Sequence, residues 1–207
     1  MRARIARLLA STADYLAAAL FGAVVLAAPT AQAAPFAYIT NQGSNNVSVI
    51  DTATNTVTAT VTVGNTPVGV AVTPDGTRVY VANFIGNNIS VISTATNAVI
   101  ATVPVGTNPQ GVAVTPDGTR VYVANFASND VSVISTATNA VIATIAVRNN
   151  PRGIALTPDS AYVHFTHQRG NDWVISTYTK TETALIVAGV FPLGLDSAPG
   201  VCVTTCS

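Results

Sequence analysis

An all-β fold assembled from repeated four-stranded antiparallel sheets is what this sequence predicts, and three observations carry the prediction. Residues 80–103 (YVANFIGNNISVISTATNAVIATV) return almost unchanged as residues 122–145 (YVANFASNDVSVISTATNAVIATI), a period of 42 residues. Self-similarity at that spacing marks an array in which one supersecondary unit stacks on the next. Within each unit, apolar and polar residues alternate in short runs, which is the period of a strand and not of a helix. Four such runs fit per unit, the pattern of a β-propeller blade. The sequence therefore predicts about four four-stranded antiparallel blades.

The chain opens differently. Arg2, Arg4 and Arg7 form a basic head, Leu16 to Ala28 an apolar run, and Ala31-Gln32-Ala33 a small-x-small cleavage pattern. That order describes a secretory signal peptide over residues 1–33, helical before cleavage. The apolar run is shorter than the roughly 20 residues that span hydrocarbon, so no membrane span is expected once the peptide is removed. A secreted, periplasmic or cell-surface location follows. The propeller repeat domain is expected over 34–201, with repeats at about 38–79, 80–121, 122–161 and 162–201 and a tail at 202–207.

One unit shows how a blade is written. Gly111 to Thr115 reads as strand A, Arg120 to Asn125 as strand B, Val131 to Ser135 as strand C and Ala140 to Val147 as strand D. Pro116-Asp117-Gly118 joins A to B: Pro presets φ, Asp bonds its own backbone and Gly accepts positive φ, which makes a tight hairpin. Ser135 to Asn139 joins C to D, with Asn tolerating the left-handed conformation. The inner strand reads Gly-Val-Ala-Val at 69–72 and 111–114 and Gly-Ile-Ala-Leu at 153–156, small residues that suit crowding near a propeller axis.

These units resemble the YVTN-family β-propeller repeat proteins, through Tyr38-Ile39-Thr40-Asn41, Tyr80-Val81-Ala82-Asn83 and Tyr122-Val123-Ala124-Asn125. The match continues through the Val47 to Asn55 stretch and the Thr-Pro-Asp-Gly turn. The resemblance implies a propeller, an exported or cell-surface setting, often seven blades, and for most members no assigned chemistry. It brings no catalytic residue set with it.

Matching prolines at Pro67, Pro109, Pro151 and Pro192 are spaced 42, 42 and 41 residues apart, so the fourth repeat is degenerate but readable. The first blade starts at strand B, and Leu193 to Ser197 can supply its missing strand A. That interlock closes a ring and hides sheet edges. An open arc completed as a homodimer and a shortened copy of a longer propeller are the competing arrangements.

Charged residues make up 9% of the chain, far below the roughly 25% of ordinary domains. Past Ala33 the basic residues are Arg78, Arg120, Arg148, Arg152, Arg169 and Lys180, against eight acidic ones. Such a balance disfavours nucleic acid. The A-to-B and C-to-D turns barely change between repeats, whereas the D-to-A and B-to-C loops vary, and strand alternation places the variable loops on one face. Loops on a rigid scaffold are where function concentrates. Arg148, Asn150, Arg152, His167 and Arg169 would form a basic patch there, suited to a carboxylate, a phosphate or an acidic glycan.

His164 and His167 are three residues apart on a strand and should point to opposite faces, one packed and one exposed, so no metal is expected. Cys202 and Cys206 form a disulfide only if the tail turns back, because an extended segment holds the thiols apart. No catalytic constellation and no cofactor motif emerge. The leading reading is an exported, non-catalytic binding or scaffold module whose partner is a protein, glycan or anionic ligand of the cell envelope. The alternatives are a small lactonase-like or other hydrolase, a redox-partner subunit, or a shortened copy without function of its own. A closed ring requires a monomeric mass in solution and one cooperative unfolding transition that is lost on removing residues 190–207; a discrete dimer contradicts it.

Overall fold

The structure, a computed structural model, describes residues 36–148, 150–167 and 171–187. The described residues form four antiparallel sheets, each a simple up-and-down meander. The first is β1 (Phe36–Asn41), β2 (Asn46–Asp51) and β3 (Thr56–Thr62), in that order. The second is β4 (Pro67–Val72), β5 (Arg78–Asn83), β6 (Asn88–Ser93) and β7 (Ala98–Pro104). The third is β8 (Pro109–Val114), β9 (Arg120–Asn125), β10 (Asp130–Ser135) and β11 (Ala140–Ala146). The fourth is β12 (Pro151–Leu156), β13 (Tyr162–His167), β14 (Asn171–Ser176) and β15 (Glu182–Val187). The first sheet thus begins at strand B. Leu193 to Ser197, the strand expected to complete it, lies outside the described residues, as does the segment expected to be a signal peptide.

Strand A starts at Pro67, Pro109 and Pro151, two residues earlier than the Gly-Val-Ala-Val pattern indicated. Proline is accommodated there because the first residue of a strand need not donate to the ladder. Every C-to-D pair carries the same bulge, between Val49 and Ile50, Val91 and Ile92, Val133 and Ile134, and Val174 and Ile175. A bulge bends the outer strand and spoils it as a template for edge-to-edge pairing.

The core lies between sheets and not within any one of them. Tyr38, Val47, Val49 and Val61 of the first sheet pack on Val79, Val81 and Ile92 of the second. The opposite face of that second sheet, through Tyr80, Ala82, Ile89, Val91 and Val103, packs on Val121, Val123 and Ile134 of the third. Tyr122, Ala124, Val131, Val133 and Ile145 then meet Ile154, Leu156, Val163, Phe165 and Ile175 of the fourth. Consecutive residues of one strand therefore serve two different interfaces, which is why β5 and β9 are apolar on both faces. In β1, among the described residues, one face is covered and the other is open: Tyr38 is buried while Ile39 is 49% exposed.

The inner strands approach one another most closely at their glycines. A Cβ on Gly69 would overlap the carbonyl oxygen of Gln110, and one on Gly111 would overlap that of Arg152. Each inner strand thus lies with its glycine against the backbone of the next, and no other residue fits.

Two edges of the stack differ in chemistry. On the turn edge, Thr73 Oγ1 donates to Asp75 Oδ1 at 2.5 Å, which also accepts from the Thr77 amide at 3.0 Å. Thr115–Asp117–Thr119 repeats the arrangement, as does Thr157–Asp159–Ala161 with the Ala161 amide. Hydrogen bonds from Thr73, Thr115 and Thr157, followed by those backbone amides, hold the three carboxyls below their ordinary range. Gly76 and Gly118 close their hairpins at φ 70°, and Ser160 takes the same role at φ 59°.

Gly69→Ala and Gly111→Ala should each destabilise the protein by about 1–3 kcal/mol, the usual cost of overpacking. Gly43, around which a Cβ would meet nothing within 4 Å, should tolerate Ala within about 0.5 kcal/mol. Urea unfolding of the three variants measures the contrast.

Candidate functional site

The opposite edge carries the variable loops, and their shared framework is asparagine. Asn45, Asn87 and Asn129 end the B-to-C loops in the left-handed conformation, at φ 55°, 53° and 57°. Asn tolerates that conformation better than most residues because its short amide bonds locally. Their backbone carbonyls accept from the amides of Val63, Val105 and Val147. Their side-chain Oδ1 atoms accept from the amides of Thr66, Asn108 and Asn150 at 2.8, 2.9 and 2.8 Å. Thr66 and Asn108 then accept from the amides of Phe84 and Phe126 in the following sheet. The first two junctions between sheets are tied by this relay, and at the third its first link, from the Asn150 amide to Asn129 Oδ1, is present.

Asn150, predicted to contact ligand, is part of that relay. Besides its amide bond, its Nδ2 donates to the carbonyl of Phe126 at 3.0 Å, as Asn108 does to Phe84 at 3.1 Å. Its amide side chain is a clasp across the junction between the third and fourth sheets.

Beneath the loops lies a second polar layer. Asn83 is buried, and its Nδ2 donates to Asn88 Oδ1 at 2.7 Å and Ser90 Oγ at 2.9 Å. Asn125 repeats this with Asp130 Oδ1 and Ser132 Oγ, at 2.6 and 2.8 Å. His167 occupies the corresponding place in the fourth sheet: it pairs with Pro151 as Asn125 pairs with Pro109. It is only 4% exposed, and its ring lies 5.2 Å from that of Phe165, tilted by 58°. His164 on the other face is 3% exposed. The expectation that one of the two histidines would be exposed is therefore corrected: β13 is buried on both faces, with Val163 and Phe165 packed on the third sheet and His164 and Thr166 almost fully covered on the other side. Among the described residues, no group of three or more His, Cys, Asp or Glu is placed to hold a metal.

Arg152 is the candidate that reaches a distinctive environment. It stands on inner strand β12, where the second and third sheets have Val68 and Gln110. Its guanidinium lies over the ring of Phe126, 5.2 Å from the centroid. Its Nε is buried and has no hydrogen-bond partner among the described residues. A guanidinium held by a ring face keeps its donor fork available for an anion.

The structure brings Asn150 and Arg152 together on Phe126, while His167 is buried beside Phe165. Arg148 lies in the same D-to-A connection, and Arg169, Cys202 and Cys206 lie outside the described residues. Phe126 was not a candidate from sequence, although its recurrence as Phe84 after the preceding Val-Ala-Asn strand was the available signal.

A model of the family described as "Lactonase, 7-bladed beta-propeller" matches residues 30–141, more than half the chain. The chain belongs to this lactonase-type propeller family.

Among solved structures, this propeller resembles the hydrazine synthase of Kuenenia stuttgartiensis at a TM-score of 0.71 and 28% identity, over 74% of this chain and 46% of that one. Among curated proteins, PE-PGRS family protein PE_PGRS18 of Mycobacterium tuberculosis (strain ATCC 25618 / H37Rv) is 70% identical over 37 residues, which are 18% of this chain and 8% of that protein. The chain thus spans less than half the length of both. Arg148, Asn150, Arg152 and His167 all fall beyond the stretch that matches the family model, in the part of this propeller where the repeat diverges.

Asn129→Ala removes both the Oδ1 acceptor and the residue suited to positive φ, and should cost about 1–3 kcal/mol. Asn129→Gly restores only the backbone freedom and should recover only part of that loss. Thermal unfolding of the two variants separates the contributions.

Proposed function

We propose that this chain is an exported, non-catalytic propeller module of the YVTN-repeat type that binds an anionic ligand of the cell envelope through Arg152. The supporting observation is the stacking of the Arg152 guanidinium over Phe126 at 5.2 Å, on the inner strand of the fourth sheet. A planar donor fork fixed in this way matches a carboxylate or a phosphate bidentately, and the aromatic surface beneath it restricts its orientation. The Asn150 clasp on the Phe126 carbonyl keeps the ring in place. Export rests on the Arg2, Arg4 and Arg7 head, the Leu16 to Ala28 apolar run and the cleavage pattern ending at Ala33.

The family match favours a second reading, a lactone hydrolase. The matched stretch carries the first two sheets whole and the third up to the start of β11, and it stops before Arg152, so the two readings depend on different residues.

Calorimetric titration of the secreted protein with an oligouronide and with inorganic polyphosphate tests the first. Arg152→Ala should weaken binding by about tenfold or more, the scale of one charge-assisted hydrogen bond, and Arg152→Lys should recover only part of it. Unchanged affinity in Arg152→Ala overturns the proposal. Proton release from a sugar δ-lactone above the spontaneous rate, undiminished in Arg152→Ala, would instead establish the hydrolase.

A further inference from the structure

The turn edge, opposite Arg152, holds a cavity of about 410 Å³ between the third and fourth sheets. Its origin is visible one repeat earlier. At the junction of the second and third sheets, Arg78 donates through Nη1 to the carbonyl of Thr136, and the Tyr80 hydroxyl donates to Asn139 Oδ1 at 2.9 Å. The C-to-D turn of the third sheet thus satisfies both donors presented by the second.

At the next junction the donors recur as Arg120 and Tyr122, but the turn that should receive them has changed. Thr177 stands where Thr136 does, Tyr178 replaces Ala137, and Lys180 replaces Asn139. The turn is seated on its own sheet in the same manner: Thr177 donates through its amide and hydroxyl to Ala161 O at 3.0 and 3.1 Å, as Thr136 donates to Thr119 O and Gly118 O. Lys180 also keeps the left-handed backbone, φ 55° against 50° for Asn139. The backbone geometry is retained, but an amide acceptor has become a cation.

Tyr122 is 1% exposed. Among the described residues neither its hydroxyl nor the Arg120 guanidinium has the acceptor that Tyr80 and Arg78 enjoy. Both line the cavity together with Lys180, and Tyr178, 88% exposed, stands at the rim with its ring free. The cavity also contains two carboxylates, Asp117 and Asp159. These are engaged by their own turns, through Thr115, Thr119, Thr157 and Ala161. The Arg120 charge also helps to lower the Asp117 carboxyl, and Arg120 and Lys180 are exposed to solvent; the groups without a hydrogen-bond acceptor among the described residues are donors, a guanidinium, an ammonium and a buried phenol.

We propose that this cavity is a second binding site, for a small sugar acid whose carboxylate is held by Arg120 and Lys180 and accepts a hydrogen bond from the Tyr122 hydroxyl. The carboxylate supplies the acceptors that Thr136 and Asn139 provide one repeat earlier. Hydroxyl groups of the sugar find Thr115, Thr119 and the outer lone pairs of Asp117 within the same walls. The ring of Tyr178 offers an apolar face of the kind that pockets use to cover a ligand, and the volume lies within the ordinary range for small-molecule sites.

The test is calorimetric titration of Arg152→Ala protein with D-galacturonate, so that the loop-edge site does not contribute and either proposal can fail alone. D-galacturonate should bind at one site, with D-galactose and acetate each weaker by about tenfold or more. Lys180→Asn restores the acceptor for Tyr122, should close the cavity and should lower affinity by about tenfold or more. Tyr122→Phe, which deletes only the hydroxyl, should weaken binding severalfold and provides the test if Lys180→Asn misfolds. No binding of D-galacturonate, or binding unaffected by both substitutions, overturns the proposal. A free acid and the terminal residue of an acidic glycan share this chemistry. Weaker binding of a galacturonate oligomer than of the monomer assigns the free acid, and equal binding assigns the chain end; either outcome supports the site.

Discussion

The second and third sheets of this protein each have two apolar faces, and neighbouring sheets cover them. A strand such as Val79-Tyr80-Val81-Ala82 sends alternate residues to opposite sides, so Val79 and Val81 belong to the interface before the sheet while Tyr80 and Ala82 belong to the one after it. Fully burying one such side chain is worth about 1.5–3 kcal/mol, and a lone meander would leave those of both faces exposed. Stability in a stacked array is therefore a property of neighbouring pairs, and no sheet is stable by itself. Gly69 and Gly111 are the geometric condition for this stacking, because only a glycine lets one inner strand lie against the carbonyls of the next.

The polar edges follow from the same constraint. Sheets held face to face bring their connecting segments into register, and every backbone group trapped between them needs a partner. On the loop edge the asparagines meet that need, first with Asn45, Asn87 and Asn129 and then with Asn108 and Asn150. On the turn edge Thr and Asp do so within each hairpin, and Arg78 and Tyr80 do so between sheets. Where one of these partners changes, a donor is released, and functional groups become available without any change in the backbone. Lys180 in place of Asn139 is such a change, and Arg152 in place of Gln110 adds a donor on the opposite edge of the same junction.

Much of this was legible in the residues. The period of 42, the alternation within strands and the Thr-Pro-Asp-Gly turn specify sheet order, hairpin type and which loops share an edge, since each is a local property of a few consecutive residues. The site was legible only in part. Composition and variability drew attention to Asn150, Arg152 and His167, but Asn150 is committed to a backbone clasp and His167 to the interior. Phe126, which holds the Arg152 guanidinium, passed unnoticed because an aromatic residue in a loop does not reveal from sequence what lies above it. The reading of His164 and His167 as one packed and one exposed applied the correct strand period but assumed that one face of the fourth sheet was open.

The sequence by itself determined the repeat, the meander within each sheet and the assignment of constant turns to one edge and variable loops to the other, because these depend on contacts a few residues apart. Only the tertiary structure decided which polar groups are satisfied. Tyr80 and Asn139 are 59 residues apart, and the equivalence of Tyr122 and Lys180 becomes a chemical difference only when sheets are stacked. Whether a donor is a structural tie or a binding group depends on what the next sheet places opposite it, and that is a property of packing and not of the strand that carries the donor.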